Sequence, residues 1–292
     1  MPDIPHISLQ QLAYLVAIQE QPSWAAAAAD LHVTPSALSQ GVAELERRLG
    51  LELFVREGRR RLPRPEAEPV FAYARSVLVQ TDDLIRWTDS RRAGRAGRVR
   101  LGLIDVAAIH HFPTTVQAFA GSRPDVQLDL VVAPSSELVG RVANGELDVA
   151  VVVETPDPTP GLSATRLLSE PLAVYRPPEA SAKTPPDRWG PFVCFPPSSH
   201  TRSLIAARLA DLGAPFEVVA ESHQPEVLQQ MVRLGMGWTV LPVSQAESGP
   251  DPLHRARRAP LLDRWLIGVQ RDDRLDHPAA DVLLELLRAS SS

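Results

Sequence analysis

Cysteine and lysine are almost absent from this sequence. Its 292 residues include one cysteine, Cys194, and one lysine, Lys183, beside 29 arginines. A single cysteine excludes an intramolecular disulfide, and it leaves no second thiol to resolve an oxidised sulfur. Because Cys194 lies in an apolar run, it is predicted to be a small buried side chain.

Long apolar runs are also missing. No stretch approaches the roughly 20 apolar residues that a membrane-spanning helix needs. The first residues do not show the charged and then apolar pattern of a secretion signal. Apolar residues nevertheless make up 44% of the chain, which is long enough for two or three domains with substantial cores. We therefore expect a multidomain protein of the bacterial cytoplasm.

Excess positive charge is absent from the chain as a whole but present locally. The formal net charge is −5, which does not by itself indicate a nucleic-acid-binding protein. Residues 1–97 hold equal numbers of arginines and acidic residues, so the acidic excess lies wholly in residues 98–292. Residues 56–64 carry five arginines against one glutamate. A local basic segment of this kind is what a small DNA footprint needs.

The signatures of several enzyme classes are missing as well. There is no phosphate-binding glycine loop and no nucleophile elbow. The glycine-containing segment 94–102 precedes a predicted strand, which is the wrong side for a dinucleotide fingerprint. His110 and His111 are adjacent and would point in different directions from a helix, and no ligand spacing surrounds them, His200 or His223. We predict no enzyme activity, no cofactor and no metal.

Residues 24–49 have the pattern of two helices joined by a short turn. Five alanines at 25–29 predict a slim helix that can lie close to a neighbour, and a break follows at 31–33. Thr34 is a good N-cap, and Pro35 suits the first position of a second helix. The apolar residues that follow recur on one helical face at spacings of four, three and four: Leu38, Val42, Leu45 and Leu49.

The opposite face of that second helix carries short hydrogen-bonding side chains near its start. A helix-turn-helix places such residues on base edges in the major groove, although an α-hairpin with a polar outer face is a plainer alternative. The arginine-rich segment 51–64, predicted to be a hairpin or wing, favours DNA because arginines pair with phosphates. The predicted DNA-contacting residues are Thr34, Pro35, Ser36, Ser39, Gln40, Arg56, Arg59 and Arg60.

The run from Leu9 to about Leu62 resembles the N-terminal domain of LysR-type transcriptional regulators. The alanine helix, the sequence TPSALSQ, LE…LG and LF.R occur in the family's order. One departure is visible, since the family usually leaves the wing through a Leu-Thr-x-x-Gly type sequence. Residues 62–69 are instead proline-rich and one residue longer. The resemblance therefore does not define the wing exit.

The segments around this match complete a winged helix-turn-helix domain over 7–64, with a first helix at 7–19, followed by a long helix over 66–92. Either one face of the long helix packs on its own domain, or it forms a dimer seam. The resemblance implies a linker helix that pairs two subunits, a homotetramer built from dimers, and RNA polymerase as a further partner. The face in question comprises Val70, Ala74, Val77, Thr81, Leu84 and Thr88.

After a glycine-containing hinge at 93–97, residues 98–292 alternate between predicted strands and helices, which is typical of a parallel α/β sheet. The resemblance implies a two-lobed, periplasmic-binding-protein-like effector domain, with lobes at about 98–165 plus 270–292 and about 166–269. Strands are predicted at 99–104, 126–132, 148–153, 192–195, 216–221, 237–241 and 265–269. Helices are predicted at 106–121, 136–144, 201–212, 225–235 and 277–289.

Four loops of this domain follow predicted strands and precede helices. Ligands of α/β sheets bind at such places, and the amides of helix N-termini favour anions. Each serine there could simply cap its helix, but the set favours a pocket for a small polar or anionic effector between the lobes. The predicted effector-contacting residues are Asp105, Val106, Ser135, Ser136, Ser198, Ser199, Thr201, Arg202, Ser222 and His223.

Two charged members of this set have alternative interpretations. Asp105 occupies a position where the family more often has a hydroxyl; its carboxylate could cap the next helix, which is the preferred interpretation, or select a cationic group on the ligand. Arg202 could pair with a ligand carboxylate or be a surface charge.

A solute-binding protein is the alternative function for these lobes. It would need a secretion signal and would leave residues 7–92 unexplained.

Overall fold

The computed structural model describes residues 6–57, 60–92 and 97–290. The chain divides into two compact units, with the boundary between Asp89 and Ser90. The N-terminal unit contains three helices, a two-stranded hairpin, a 3₁₀ turn and a long helix. These are α1 (Leu9–Glu20), α2 (Trp24–Asp30), α3 (Pro35–Leu49), β1 (Phe54–Glu57), β2 (Arg60–Pro63), the turn Pro65–Ala67 and α4 (Glu68–Arg92).

Local capping explains where the first helices begin and end. Helix α1 begins two residues later than predicted because Ser8 caps it: Ser8 Oγ accepts a hydrogen bond from the Gln11 amide at 3.2 Å. Helix α3 begins as predicted, with Thr34 Oγ1 accepting from the amide of Ala37 at 3.2 Å. It ends at Gly50, whose φ of 65° is the left-handed conformation that glycine adopts at helix ends.

The core of this unit lies between the helices and the hairpin. Leu15, Leu38 and Leu45 are completely buried, as is Phe71 from α4. The ring of Phe54 on β1 lies edge-on to Trp24 at 5.0 Å and to Phe71 at 5.5 Å, measured between ring centroids. The hairpin is therefore packed onto the helices by aromatic contacts.

Helix α3 passes very close to α1 at Gly41. A Cβ atom at this position would lie 2.5 Å from Cε2 of the Tyr14 ring, which is itself buried. Gln11 also donates a hydrogen bond from Nε2 to the carbonyl oxygen of Gly41, at 3.3 Å. The close approach of these two helices thus depends on glycine at position 41.

Replacing Gly41 by valine is expected to destabilise the N-terminal unit by about 1–3 kcal/mol, because the new side chain must displace Tyr14. Urea unfolding followed by circular dichroism measures this change. Gly140→Ala is the control, since a Cβ there, in the helix Ser135–Ala143 of the other unit, meets nothing within 4 Å; it should be neutral or slightly stabilising. Equal stabilities for Gly41→Val and wild type would contradict the close packing.

The wing exit and the long helix differ in part from expectation. The proline-rich segment forms the 3₁₀ turn Pro65–Ala67, which leads directly into α4. The first half of α4 packs on its own domain, since Phe71 and Ala74 are buried in the helix-turn-helix core. Its second half exposes Leu84 and Ile85, which are 52% and 53% exposed. The interpretation of packing on its own domain therefore holds for the first half of the helix, and the dimer seam stays a prediction.

The C-terminal unit alternates strands and helices as predicted, with additional elements. Its strands are β3 (Arg98–Leu103), β4 (Gln127–Val132), β5 (Val149–Val153), β6 (Leu162–Arg176), β7 (Phe192–Cys194), β8 (Val218–Glu221), β9 (Thr239–Pro242), β10 (His254–Arg255) and β11 (Leu262–Arg271). Its helices are α5 (Pro113–Ser122), α6 (Ser135–Ala143), α7 (His200–Asp211), α8 (Pro225–Arg233), α9 (Val243–Ala246) and α10 (Pro278–Ala289), with a π-helical turn at Ala107–His111 and a 3₁₀ turn at Pro186–Arg188.

The strands form one large sheet and one small one. The large sheet has the order β10-β6-β11-β5-β3-β4, with β9 also paired to β6, and the small sheet pairs β7 with β8. Strand β3 runs parallel to β4 and β5, and β7 runs parallel to β8, as predicted. Strand β11, however, pairs antiparallel with both β5 and β6. The sheet is therefore mixed rather than wholly parallel.

Two separate hydrophobic cores define two lobes. One core surrounds the fully buried Leu101 and Leu283, and the other surrounds Phe192 and Leu241. Strands β6 and β11 contribute to both cores, so they are the two crossovers that join the lobes.

One predicted helix in this unit was wrong, and one strand was missed. The helix expected over 106–121 is broken, because Pro113 has no amide hydrogen to continue the π-helical turn and instead opens α5. Strand β6 was not predicted at all. Pro171 and the buried Glu170 interrupt its apolar pattern, although Pro171 lies within the strand, opposite Asp263. Among the described residues, no helix has the length and apolar character needed to cross a membrane.

Candidate functional sites

The start of α3 presents the polar side chains that the sequence predicted for base contacts. Ser36 and Gln40 are exposed, and Ser39 is half-buried. Ser36 Oγ lies 3.0 Å from Thr34 Oγ1, whose other hydrogen bond caps the helix. Thr34 therefore fixes the first turn of α3 and the position of Ser36.

The wing is an antiparallel hairpin, in which Arg56 lies opposite Arg61 on the neighbouring strand. Arg56 is exposed. Of the other two predicted wing residues, Arg59 and the side chain of Arg60 lie outside the described part of the chain. The prediction missed Arg61, whose guanidinium lies 4.9 Å above the ring of Trp24. Only the fold shows which of five neighbouring arginines stacks on that ring.

A carboxylate ties the wing to the end of α3. Oε1 of Glu46 accepts hydrogen bonds from the amides of Leu53 at 2.7 Å and of Phe54 at 3.3 Å. Because β1 begins at Phe54, the wing and α3 are held together by main-chain bonds to one side chain. The position of the wing is thus fixed relative to α3.

The second candidate site is a cavity of about 620 Å³ between the lobes. It lies at the carboxyl ends of β3 and β5 and at the N-termini of α6 and α7, with β11 along one wall. Eight of the ten predicted effector-contacting residues line it: Asp105, Val106, Ser135, Ser136, Ser198, Ser199, Thr201 and His223.

The other two predicted residues are not in the cavity lining. Arg202 forms an ion pair with Glu221 and donates a hydrogen bond to the carbonyl oxygen of Phe195 at 3.1 Å. Ser222 Oγ accepts from the amide of Gln224 at 3.0 Å, which is a local turn. Both side chains therefore stabilise the loops beside the cavity.

The serines of the cavity do not cap its helices. Ser199 precedes α7 but makes no side-chain capping bond, and the residue before α6 is a proline. Ser135 Oγ instead accepts from the amide of Val153 at 3.2 Å, which joins the start of α6 to the end of β5. The hydroxyls of Ser136 and Ser198 lie on exposed residues of the cavity lining.

Sequence reasoning missed a buried ionic network in the cavity wall. Glu170 on β6 is completely buried, and its Oε2 accepts from Nε of Arg264 at 2.7 Å, directly across the strand pair. Its Oε1 lies 2.6 Å from Nε2 of His111. Arg264 also donates to Thr201 Oγ1 at 2.7 Å, and both Arg264 and Thr201 line the cavity.

This network joins the cavity to both lobes. Glu170 and Arg264 lie on the two crossover strands, His111 comes from the first lobe, and Thr201 opens α7 of the second. Burial works to raise the pKa of Glu170, but the charge of Arg264 and the hydrogen bond from His111 outweigh it and hold that pKa below its ordinary value. The carboxylate is therefore ionised at neutral pH.

Asp105 behaves differently from the capping residue that was expected. The helical turn that follows it has Val106 as its N-cap and no side-chain capping bond. The interpretation of Asp105 as a helix cap was therefore wrong. Its side chain lines the cavity, where burial and the nearby charge of Glu226 raise its pKa and His223 partly offsets them.

Cys194 is buried in β7, as predicted. Burial raises the pKa of its thiol to about 11, so the thiol stays protonated at neutral pH. The part of the chain that the structure describes holds no group of three or more His, Cys, Asp or Glu side chains that could bind a metal ion.

Comparison with known proteins identifies both units. The model for "Bacterial regulatory helix-turn-helix protein, lysR family" matches residues 9–68, and the model for "LysR substrate binding domain" matches residues 92–292. The chain is 28% identical over 290 residues to an uncharacterized HTH-type transcriptional regulator, YfeR, of Shigella flexneri, covering 96% of this chain and 93% of that one. It is 25% identical over 297 residues to the HTH-type transcriptional activator IlvY of Salmonella typhimurium, covering 96% and 99%.

A solved structure has the same architecture. Full-length CbnR, crystallised with its target DNA, is similar with a TM-score of 0.65 and 19% identity, covering 97% of this chain and 99% of that one. This likeness establishes the fold, whereas the two family models establish the class of protein, a regulator rather than an enzyme. The chain belongs to the LysR-type transcriptional regulators, DNA-binding proteins that carry a C-terminal effector-binding domain.

Proposed function

We propose that α3 and the wing read specific double-stranded DNA sites, and that a small polar effector in the cavity between the lobes changes this binding. Ser36, Ser39 and Gln40 contact base edges in the major groove, and Thr34 and Pro35 set the start of the reading helix. Arg56, Arg59 and Arg60 pair with phosphates. The observation that carries the proposal is the exposed polar start of α3, together with an arginine-rich wing that Glu46 ties to the same helix.

The effector part of the proposal rests on the inter-lobe cavity. Its volume of about 620 Å³ suits a small organic molecule, and its lining combines hydroxyls with apolar strand ends. Because two crossover strands join the lobes, a ligand that binds one arrangement of the lobes better than another would shift the population between them. That shift would alter how the subunits of the protein sit on DNA.

We also propose that the protein self-associates through the second half of α4, where Leu84 and Ile85 are exposed. A dimer would place two reading helices on a two-fold symmetric DNA site, and a tetramer would combine two dimers. Such a regulator would act in the cytoplasm and could contact RNA polymerase at a promoter. The dimer is the part of this proposal that the apolar surface supports.

Replacing both Leu84 and Ile85 by glutamate is expected to convert the dimer into monomers, because it puts charges into an apolar helix seam. Light scattering after size-exclusion chromatography measures the mass, against 31.9 kDa for one chain. Ala72→Glu, on an exposed position in the first half of α4, is the control and should leave the mass unchanged. A double variant with the wild-type mass would exclude this seam.

Mobility shift with the DNA immediately upstream of the protein's own gene tests the DNA-binding proposal, because such regulators often act on their own or a divergent promoter. We expect a shift that survives an excess of unrelated competitor DNA. The shift should weaken steeply with salt through the arginine–phosphate contacts. A shift that competitor removes completely, on this and on every other genomic fragment, would contradict sequence-specific reading.

A further inference from the structure

The cavity lining has two carboxylates, and one of them is unpaired within the part of the chain that the structure describes. Of its charged lining residues, Glu154 is held by Arg166 through two bonds of 2.8 and 2.9 Å, and Arg264 is held by Glu170. Within residues 6–57, 60–92 and 97–290, by contrast, no group donates a hydrogen bond to the carboxylate of Asp105 or forms an ion pair with it. This half-buried side chain lies at the end of β3.

An unpaired carboxylate in this place is unfavourable for the protein alone. Removing a charge from water costs free energy unless a partner replaces the lost hydration. Glu226, whose Oε1 accepts from Nε2 of Gln245 at 2.7 Å, adds a second negative charge to the surroundings, and together with burial it raises the pKa of Asp105. The arrangement becomes favourable once a cation enters the cavity beside Asp105.

The surroundings of Asp105 favour an organic cation over a metal ion. Calcium and magnesium require several oxygen ligands, and the described residues offer no group of three side chains that could hold a metal. The lining instead includes apolar residues, among them Ile104 and Val106, which flank Asp105 in the sequence, and Phe195. Such walls suit the carbon skeleton of a small amine.

We infer that the effector of this regulator carries an ammonium or guanidinium group that pairs with Asp105, while the hydroxyls and helix N-termini across the cavity take its polar or anionic end. This inference rests on the proposed function, in which the effector occupies the inter-lobe cavity. Asp105 thereby determines specificity: it favours amines over neutral and dianionic molecules of the same length.

Thermal unfolding of the full chain tests this inference with three matched series of three- to six-carbon probes: ω-amino acids with diamines, the corresponding hydroxy acids, and dicarboxylates. At about 10 mM, the fitting amines should raise the Tm of the wild-type protein by about 2–4 °C or more. The rise should be lost in Asp105→Asn and kept in Glu154→Gln, whose parent side chain is already paired. Without any probe, Asp105→Asn should have a Tm equal to or above that of the wild type.

The experiment distinguishes a failure of the inference about the cation from a failure of the proposed effector site. If dicarboxylates or hydroxy acids raise the Tm, if amines raise it equally in Asp105→Asn, or if no amine raises it, the inference about the cation is overturned. A lower Tm for probe-free Asp105→Asn would do the same, because it would reveal a structural partner for the carboxylate. Ser136→Trp, which fills the cavity from an exposed lining position, tests the cavity itself. Stabilisation by any probe that survives this variant would overturn the proposed effector site.

Discussion

Replacing Glu170 by alanine is expected to lower the free energy of unfolding of the C-terminal unit by about 3–5 kcal/mol. The reason is that Arg264, which is only 6% exposed, would remain buried without its counter-charge. His111 and Ser244 would lose a hydrogen-bonding partner as well. Because the network joins the two crossover strands, the variant should also lose the response of DNA binding to an effector.

Urea unfolding followed by tryptophan fluorescence measures this loss, since Trp189 and Trp238 are buried in the second lobe with their ring centroids 5.8 Å apart. Glu154→Ala is the control, because its ion pair with Arg166 is largely exposed and should contribute about 1 kcal/mol or less. The double variant Glu170→Met/Arg264→Met should recover much of the free energy of unfolding, since no unpaired buried charge remains. Equal losses for Glu154→Ala and Glu170→Ala would contradict the importance of burial.

The same carboxylate gives a pH dependence of known sign. The pKa of Glu170 lies below its ordinary value of 4.5 in the folded protein. A group of this kind stabilises the folded state at pH values above its unfolded pKa, and the contribution is lost as the pH falls through the folded pKa. The stability difference between wild type and Glu170→Gln should therefore be largest above pH 4.5 and shrink below it. If the stability difference between wild type and Glu170→Gln grew as the pH fell, the pKa of Glu170 would be raised in the folded protein instead of lowered.

The second large effect is expected in DNA recognition. Gln40→Ala should weaken binding to the specific site by about 5–150-fold, equivalent to about 1–3 kcal/mol, while binding to unrelated DNA stays unchanged. The reason is that an amide side chain near the start of α3 reads a base edge rather than a phosphate. Fluorescence anisotropy with a specific and an unrelated duplex measures both affinities.

Arg56→Ala is the informative comparison for this experiment. Replacing a wing arginine that contacts a phosphate should weaken binding to both duplexes to a similar extent. It should also lower the slope of log affinity against log salt by about 1. Arg47→Ala is the control, since that exposed side chain is paired with Glu44 near the other end of α3. If Gln40→Ala weakened both duplexes equally, the assigned role of Gln40 in reading bases would be wrong.

The helix-turn-helix could be predicted from sequence because its signals are local. Thr34 caps α3 by accepting a hydrogen bond from the amide three positions later, and Gly50 ends the helix by its own backbone conformation. Eight of the ten predicted effector-contacting residues also line the cavity, because loops that follow parallel strands meet at one edge of a sheet. The prediction failed for Arg202, which lies on α7, because its ion-pair partner Glu221 lies at the end of β8, 19 positions away.

The buried network could not be predicted for the opposite reason. Glu170 and Arg264 are 94 positions apart and meet only because β6 and β11 pair antiparallel. In the sequence, a glutamate beside Pro171 has the pattern of a loop, and an arginine before an apolar run has the pattern of a strand edge.

The role of Asp105 was difficult to predict for a third reason. A carboxylate before a helix usually caps it, and only the absence of that bond among the described residues reveals another role.

Selection of genomic DNA fragments by the purified full-length protein tests the central claim most directly. The wild-type chain should enrich a small set of fragments that share one two-fold symmetric sequence. A Ser39→Ala/Gln40→Ala double variant should retain its fold by circular dichroism but lose that preference. If the wild type and the double variant enrich the same fragments to the same extent, α3 does not read the sequence, and the account of this protein as a regulator acting through that helix is wrong.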